Sequence, residues 1–233
     1  MLNIFNLACN KGDFGLNIEK LEIKKRGLVL IHGSNNEGKS TFLKCLAGVH
    51  SYDGKIKFKS INISSFNFKH RARIIGYMPQ AISVSDRQDQ KVADFLIMGR
   101  LPYTNFLNHY TDKDWDIAYN VASVFDLTRS FNKEVSILND DEMRRLLLAR
   151  IFIQSPEILL LDEPTLSLTD EHKFKFFDFI DDYVRLYPRK MVIVSSHDPW
   201  FLAKNNSCNL IVKDGTVLKQ GYCGSEADYE EST

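Results

Sequence analysis

The sequence predicts an α/β fold, a mixed sheet flanked by helices with a helical subdomain inserted in the core. Three observations lead there. Apolar runs of strand length recur at Gly27–Gly33, Ile158–Asp162 and Met191–Ser196, and each is continuous rather than alternating, as in strands buried on both faces. Segments with helical periodicity separate these runs. Residues 86–142 carry helical periodicity with few strand signals, so they read as an inserted subdomain within one domain spanning residues 1–233.

The first clear element is the strand ending at Gly33. A Gly/Asn-rich turn leads into a helix from Lys39 to Ala47, closed near Gly48. After Asp53-Gly54, the stretch Lys55 to Ile63 alternates with the period of one half-buried strand. Ile74 to Pro79 reads as a short strand broken by its proline. Val92–Met98 and Asp114–Phe125 read as amphipathic helices. A helix from Glu142 to Ile153 then precedes the strand Ile158–Asp162. Next come a helix over Asp170–Leu186, the strand starting at Met191, and a hairpin from Leu210 to Leu218 turning at Asp214-Gly215. The acidic residues Glu226–Thr233 read as a frayed tail.

Composition narrows the function classes. A chain of 233 residues, 44% apolar and 26% charged, is neither disordered nor low-complexity and can bury a full core without staples. Lys+Arg and Asp+Glu both number 30, so the basic footprint of a nucleic-acid binder is missing and no nucleic-acid partner is expected. No apolar run approaches the ~18 residues of a membrane span. The first residues have no basic segment before an apolar stretch, unlike a secretory signal. Cys9, Cys45, Cys208 and Cys223 lack the paired spacing of a zinc site or disulfide framework, which fits a reducing compartment. A soluble intracellular protein is expected.

The most specific motif is Gly33-Ser34-Asn35-Asn36-Glu37-Gly38-Lys39-Ser40, which fits G-x-x-x-x-G-K-[ST] between a strand and a helix. Its glycines let backbone N–H groups converge on phosphate oxygens, and the helix N-terminus adds partial positive charge. Asn36 is a residue type that tolerates positive φ. Lys39 would reach the β- and γ-phosphates and Ser40 would ligate Mg²⁺. With Thr41, the loop Gly33–Thr41 is the candidate ATP site. Asp162 and Glu163 end an apolar strand, where open α/β sheets bind ligands. Asp162 would hold Mg²⁺ through water, and Glu163 would take a proton from the attacking water.

Asp162-Glu163-Pro164-Thr165, about 120 residues after the phosphate loop, resembles the ATP-binding subunit of ABC transporters, and the other family markers follow in order. Tyr77-Met78-Pro79-Gln80 resembles the Q-loop, which implies that Gln80 contacts Mg²⁺ and the γ-phosphate. Ser195-Ser196-His197-Asp198 resembles the switch loop, which implies a γ-phosphate contact for His197. Gly99-Arg100-Leu101-Pro102-Tyr103 is similar to importers of the iron-siderophore, haem and cobalamin type. The resemblance implies an ATPase on the cytoplasmic face of the inner membrane, docked on a separate permease and paired with a second ATPase subunit. Coupling would use the neighbourhood of Gln80 and a permease-facing Gly99–Thr104 segment. Rival readings are an ABC protein outside transport and a weakly hydrolysing regulatory subunit.

The sequence also departs from the family. Leu138-Asn139-Asp140-Asp141-Glu142 stands where the signature Leu-Ser-Gly-Gly-Gln would contact ATP bound by the partner subunit. Asn139 is a good helix N-cap, and Glu142 three residues on completes a capping-box pattern. Asp140 and Asp141 put carboxylates where a phosphate should approach, which predicts weak ATP-driven dimerisation and slow turnover. Thr169 stands where the family commonly has Asp. The adenine-stacking aromatic is not evident, Phe14 being the nearest candidate.

Overall fold

The computed structural model describes residues 1–11, 14–24, 27–80, 89–104, 109–203 and 208–220. The tail after 220 lies outside them, as does the Phe14 side chain. A six-stranded sheet is built from β3 (Gly27–His32), β6 (Ile75–Met78), β7 (Ile158–Asp162), β8 (Met191–Ser195), β9 (Cys208–Lys213) and β10 (Thr216–Gln220), in the order β10-β9-β3-β8-β7-β6. All its neighbours are parallel except β10, which pairs antiparallel with β9. Burial along these strands has period two. Val29, Ile31, Leu160 and Ile193 enter one apolar core, while Leu28, Leu30, Leu159, Leu161 and Val194 enter a second on the opposite face. Burial on both faces explains why the runs are continuously apolar in sequence.

The first core is closed by a four-stranded antiparallel sheet of β1 (Leu2–Lys11), β2 (Phe14–Ile23), β4 (Asp53–Phe58) and β5 (Ile61–Asn62). Helix α1 (Lys39–Ala47) contributes Phe42, Leu43 and Leu46 to this core. β1 and β2 are not foreseen in the sequence. Leu2 and Ile4, then Leu7 and Cys9, alternate correctly but out of phase with each other, because Asn6 has a left-handed φ of 47° and the pairing with β4 shifts between Phe5 and Ala8. The expected single strand over Lys55–Ile63 is also corrected. Lys59 and Ser60 take φ of 49° and 69°, turning the chain into the β4–β5 hairpin.

On the second face lie α3 (Val92–Ile97), α4 (Asp112–Val124), α5 (Asp140–Gln154) and α6 (Asp170–Leu186). A short α2 (Phe68–Ile74) precedes β6, and α7 (Pro199–Leu202), absent from the sequence reading, follows β8. Helix α5 begins two residues earlier than its apolar pattern suggests, because Asn139 and Glu142 form a full capping box. The cysteine expectation holds in part: Cys9 and Cys45 are free and buried, whereas Cys208 is disulfide-bonded. Burial and the neighbouring Cys9 push the Cys45 thiol up to about 12.

The Gly99–Thr104 segment is not the exposed surface that permease contact requires. Gly99, Arg100, Pro102 and Thr104 are buried, within the 3₁₀ stretch Met98–Tyr103 and its cap. A Cβ on Gly99 would sit 2.7 Å from the Arg150 carbonyl oxygen, so glycine permits close approach to α5. Arg100 Nε donates to Asp114 Oδ1 at 2.8 Å, its Nη1 to the Ile153 carbonyl at 3.2 Å, and its guanidinium lies 4.0 Å from the Tyr103 ring centroid. Burial alone would raise the Asp114 carboxyl, but bonds from Arg100 and Thr111 outweigh it and hold it low. Asp114→Ala should therefore cost about 3 kcal/mol, measured by urea unfolding, because Arg100 is left as an unpaired buried cation. Since the folded carboxyl is depressed, this contribution is complete above the unfolded value near ~4 and is lost as pH falls through the folded one.

Candidate functional site

Beyond β3 the chain must pass close to β9. A Cβ on Gly33 would lie 2.3 Å from the Val212 carbonyl oxygen, and only glycine, at φ 145°, avoids this. Asn36 and Gly38 also have positive φ, 67° and 103°, which curls the loop. Gly38 caps α1 without any side-chain bond, and the first turn holds no acidic residue, so the amides at this terminus are available to an anion. Lys39 folds across its own loop, its Nζ donating to the carbonyls of Gly33 and Ser34, both at 2.7 Å. Glu37 Oε2 accepts the Ser34 amide at 2.9 Å. Burial lowers the Lys39 ammonium against the raising pull of Glu163, Glu37 and Asp162.

An open cleft of about 870 Å³ lies over this loop. Asn35, Asn36, Gly38, Lys39, Ser40 and Thr41 line it together with Gln80, Asp162, Glu163 and His197. Gly33, Ser34 and Glu37 do not line the cleft but hydrogen-bond within the loop. Pro79 and Ser195, from the segments that carry Gln80 and His197, also line the cleft, as do Lys44 and Leu166, which lie outside every motif quoted from the sequence. Asp162 is almost fully buried at the end of β7, opposite Ser195 of β8. Tyr77 Oη reaches Asp162 Oδ2 at 3.5 Å, whereas Asp162 Oδ1 and Ser195 Oγ are buried without a partner. Two orphaned oxygens in a doubly acidic spot fit a hard divalent cation that takes its remaining ligands from phosphate and water. No group of three or more His, Cys, Asp or Glu among the described residues could hold a metal ion.

Glu163 adopts a left-handed φ of 49°, fixed by its amide donating to the Ser195 carbonyl at 2.8 Å. Its Oε2 accepts the His197 amide at 3.4 Å, and its Oε1 lies 3.7 Å from His197 Nε2. Burial raises the Glu163 carboxyl above its ordinary value, with His197 and Lys39 opposing. That shift suits a group that accepts a proton. Arg144, to which the sequence assigns no role, is buried. Its Nη2 donates to the Gln80 carbonyl at 2.7 Å. Burial lowers Arg144 and the charges of Asp162 and Glu163 raise it, so it stands within their field.

The family described as ABC transporter matches residues 16–166, more than half of the chain. The chain belongs to the ABC transporter family. This ABC ATPase is 30% identical over 201 residues to a probable iron chelatin transport ATP-binding protein of Helicobacter pylori, covering 85% of this chain and 77% of that one. It is 28% identical to the petrobactin import ATP-binding protein FpuD of Bacillus anthracis, over 86% and 73% of the two chains. It is also 28% identical to the lipoprotein-releasing protein LolD of Buchnera aphidicola, over 85% and 88%. Among solved structures, a metal-chelate type ABC transporter in an inward-facing conformation aligns with TM-score 0.75 and 22% identity, covering 94% of this chain and 82% of that one. The post-hydrolysis dimer of the cassette MJ0796 with ADP and Pi aligns with TM-score 0.77 and 20% identity, covering 95% and 100%. These two show the shared cassette fold.

In this ABC ATPase, Leu138–Glu142 does not line the cleft: Leu138 ends the 3₁₀ turn Val135–Ile137, Asn139 caps α5, and Asp140 to Glu142 lie in its first turn. The expectation that Asp140 and Asp141 both oppose a phosphate is corrected. Asp140 is exposed, but Asp141 turns inward: Oδ1 accepts the Thr169 amide and meets His172 Nδ1, both at 2.9 Å, while Oδ2 accepts Arg145 Nε at 2.9 Å. Burial alone would raise the Asp141 carboxyl, and these bonds together hold it low. Of these two aspartates, only Asp140 directs its carboxylate outward.

Two substitutions test the cleft. Lys39→Ala should weaken ATP binding ~100-fold by calorimetry, because the phosphates lose their charged donor; an unchanged affinity would remove the phosphate-loop assignment. Glu163→Gln should hold ATP normally yet lower turnover by about 100-fold or more in a phosphate-release assay, the contribution of a general base.

Proposed function

We propose that this ABC ATPase powers an importer of iron-chelate type from the cytoplasmic face of the inner membrane, as one of two ATPase subunits docked on a separate permease. The observation that carries the catalytic half is the convergence of Lys39, Asp162, Glu163, Gln80 and His197 on one cleft. In this reading Lys39 and the loop amides grip the β- and γ-phosphates. Ser40, Asp162 and Gln80 would hold Mg²⁺, which when bound neutralises phosphate charge. Glu163 aligns the attacking water and takes its proton, and His197 reports the γ-phosphate to the end of β8. The placement of Glu163 and His197 favours turnover over a purely regulatory subunit. The helical block at 86–142 acts as an inserted subdomain that relays nucleotide state towards the permease.

The cargo reading rests on the relatives and on one sequence segment. Two of the relatives above are named for iron chelatin and petrobactin transport, and the Gly99–Tyr103 segment is of the same type. LolD in the same comparison points to lipoprotein release. No described helix is long and apolar enough to cross a membrane; in the reading proposed here the separate permease supplies the spanning segments.

Affinity purification from its native host should recover a multispanning permease, and the reconstituted complex should take up a ferric chelate in an ATP-dependent manner that Glu163→Gln abolishes. Recovery of a lipoprotein-releasing permease would overturn the cargo while leaving the ATPase reading intact.

A further inference from the structure

The segment joining Glu163 to α6 has little slack. It runs from Glu163 to Thr169, the residue that caps α6, and two of its non-glycine residues, Glu163 and Ser167, sit at φ 49° and 67°. Backbone bonds from Leu166 to Glu163 (3.2 Å) and from Leu168 to Thr165 (3.1 Å) fold it into consecutive tight turns. Left-handed non-glycine residues cost energy and persist where the surrounding structure holds them in place. At the Glu163 end the fixing contact is the Ser195 carbonyl. At the other end it is Asp141, whose Oδ1 accepts the Thr169 amide at 2.9 Å.

Asp141 is itself held firmly. Arg145, one helical turn on, pairs with its Oδ2 and also donates through Nη1 to the carbonyls of Phe125 (2.8 Å) and Asp126 (3.0 Å). His172 bridges Asp141 Oδ1 at 2.9 Å and Asp126 Oδ2 at 3.7 Å, and Lys175 closes on Asp126 at 2.7 Å. A carboxylate serving only the dipole of α5 would point into solvent, as Asp140 does. This one is the node where the first turn of α5, the first turn of α6 and the corner after α4 meet.

We propose that Asp141 is a positioning residue for ATP hydrolysis: by gripping the Thr169 amide it fixes the far end of the Glu163–Thr169 segment and thereby the placement of Glu163 in the cleft. The proposal rests on the reading of Glu163 as the base. It gives the altered signature peptide a role inside its own subunit, separate from any contact across a dimer. Because the phosphate loop lies on α1, away from this node, the grip governs the rate of the chemical step and leaves nucleotide affinity alone.

The test compares Asp141→Ala, which removes the acceptor, with Asp141→Asn, which keeps an oxygen for the Thr169 amide. The readouts are kcat per ATP-binding site counted by stoichiometric titration, KM for ATP, and amide exchange of residues 164–172 in the nucleotide-free protein. Asp141→Ala should lower kcat ~10-fold with KM within about twofold, and speed exchange at Thr169 ~10-fold, as loss of a charge-assisted bond implies. Asp141→Asn should restore both to within about threefold. If Asp141→Ala folds poorly, Thr169→Pro removes the donor instead, at a φ of −64° that proline accepts, with Thr169→Ala as control for the lost hydroxyl. Thr169→Pro should then reproduce the kcat loss and Thr169→Ala should not. Parental kcat in Asp141→Ala, higher turnover with stronger ATP-driven association, or an Asn variant as impaired as the Ala variant would each overturn the grip. A parent protein without ATP turnover would overturn the base reading itself, whereas a parent that turns over beside an unaffected Asp141→Ala overturns only this proposal.

Discussion

Two adjacent carboxylates at the end of a strand buried on both faces are costly, and the architecture around them is a response to that cost. Asp162 is nearly inaccessible and Glu163 is raised by burial. Cations reach the pair from both sides of the sheet. Lys39 comes from α1, which packs in the core under the antiparallel sheet, and Arg144 from α5, which packs on the opposite face. Both cations are desolvated, and both are pulled upward by the same two acids. What these cations leave uncompensated, above all Asp162 Oδ1, is the place where a further positive charge belongs. The strand order follows from this need: β7 lies between β8, which supplies Ser195 and His197, and β6, which delivers Gln80.

The parts of this arrangement legible in the sequence are those in which local chemistry and global placement agree. The phosphate loop is readable because positive φ at Gly33, Asn36 and Gly38 demands particular residue types. The strands beneath the cleft are readable because burial on both faces makes them uninterrupted. β1 and β2 were missed because their alternation slips phase beside Asn6, so a strict period-two template fails across the bulge. The inward placement of Arg144 and Asp141 is not legible, for a different reason. Each is a charged residue in the first half of a helix, and sequence spacing cannot say whether such a residue faces water. Their inward orientation depends on a carbonyl 64 residues away, for Arg144, and on an amide 28 residues away, for Asp141. The Gly99-Arg100 pair was readable as a motif but not as a buried clasp, since the ion-pair partner of Arg100, Asp114, lies 14 residues further along the chain.

These contacts give α5 a mechanical character that no single motif conveys. Near its N-terminus Asp141 holds the start of α6 and Arg144 holds the Gln80 backbone; Arg145 holds the end of α4. At its C-terminal end Gln154 donates to the carbonyls of Ala72 (2.6 Å) and Ile75 (3.3 Å), and the Ile153 carbonyl accepts from Arg100. The helix thus touches the segment after Glu163, the residue leading out of β6, and the helical block, each through a charged or amide side chain bonded to backbone rather than through apolar packing alone. Polar contacts of this kind are directional and fail abruptly when stretched, while apolar faces can slide. A displacement of the helical block therefore either carries α5 with it, moving Gln80 and Thr169 together, or breaks buried charge-assisted bonds. The second course leaves an unpaired guanidinium inside the protein, which is the costlier outcome. Asp141 sits in the first turn of this helix, so the bond that it makes to the Thr169 amide belongs to that rigid set.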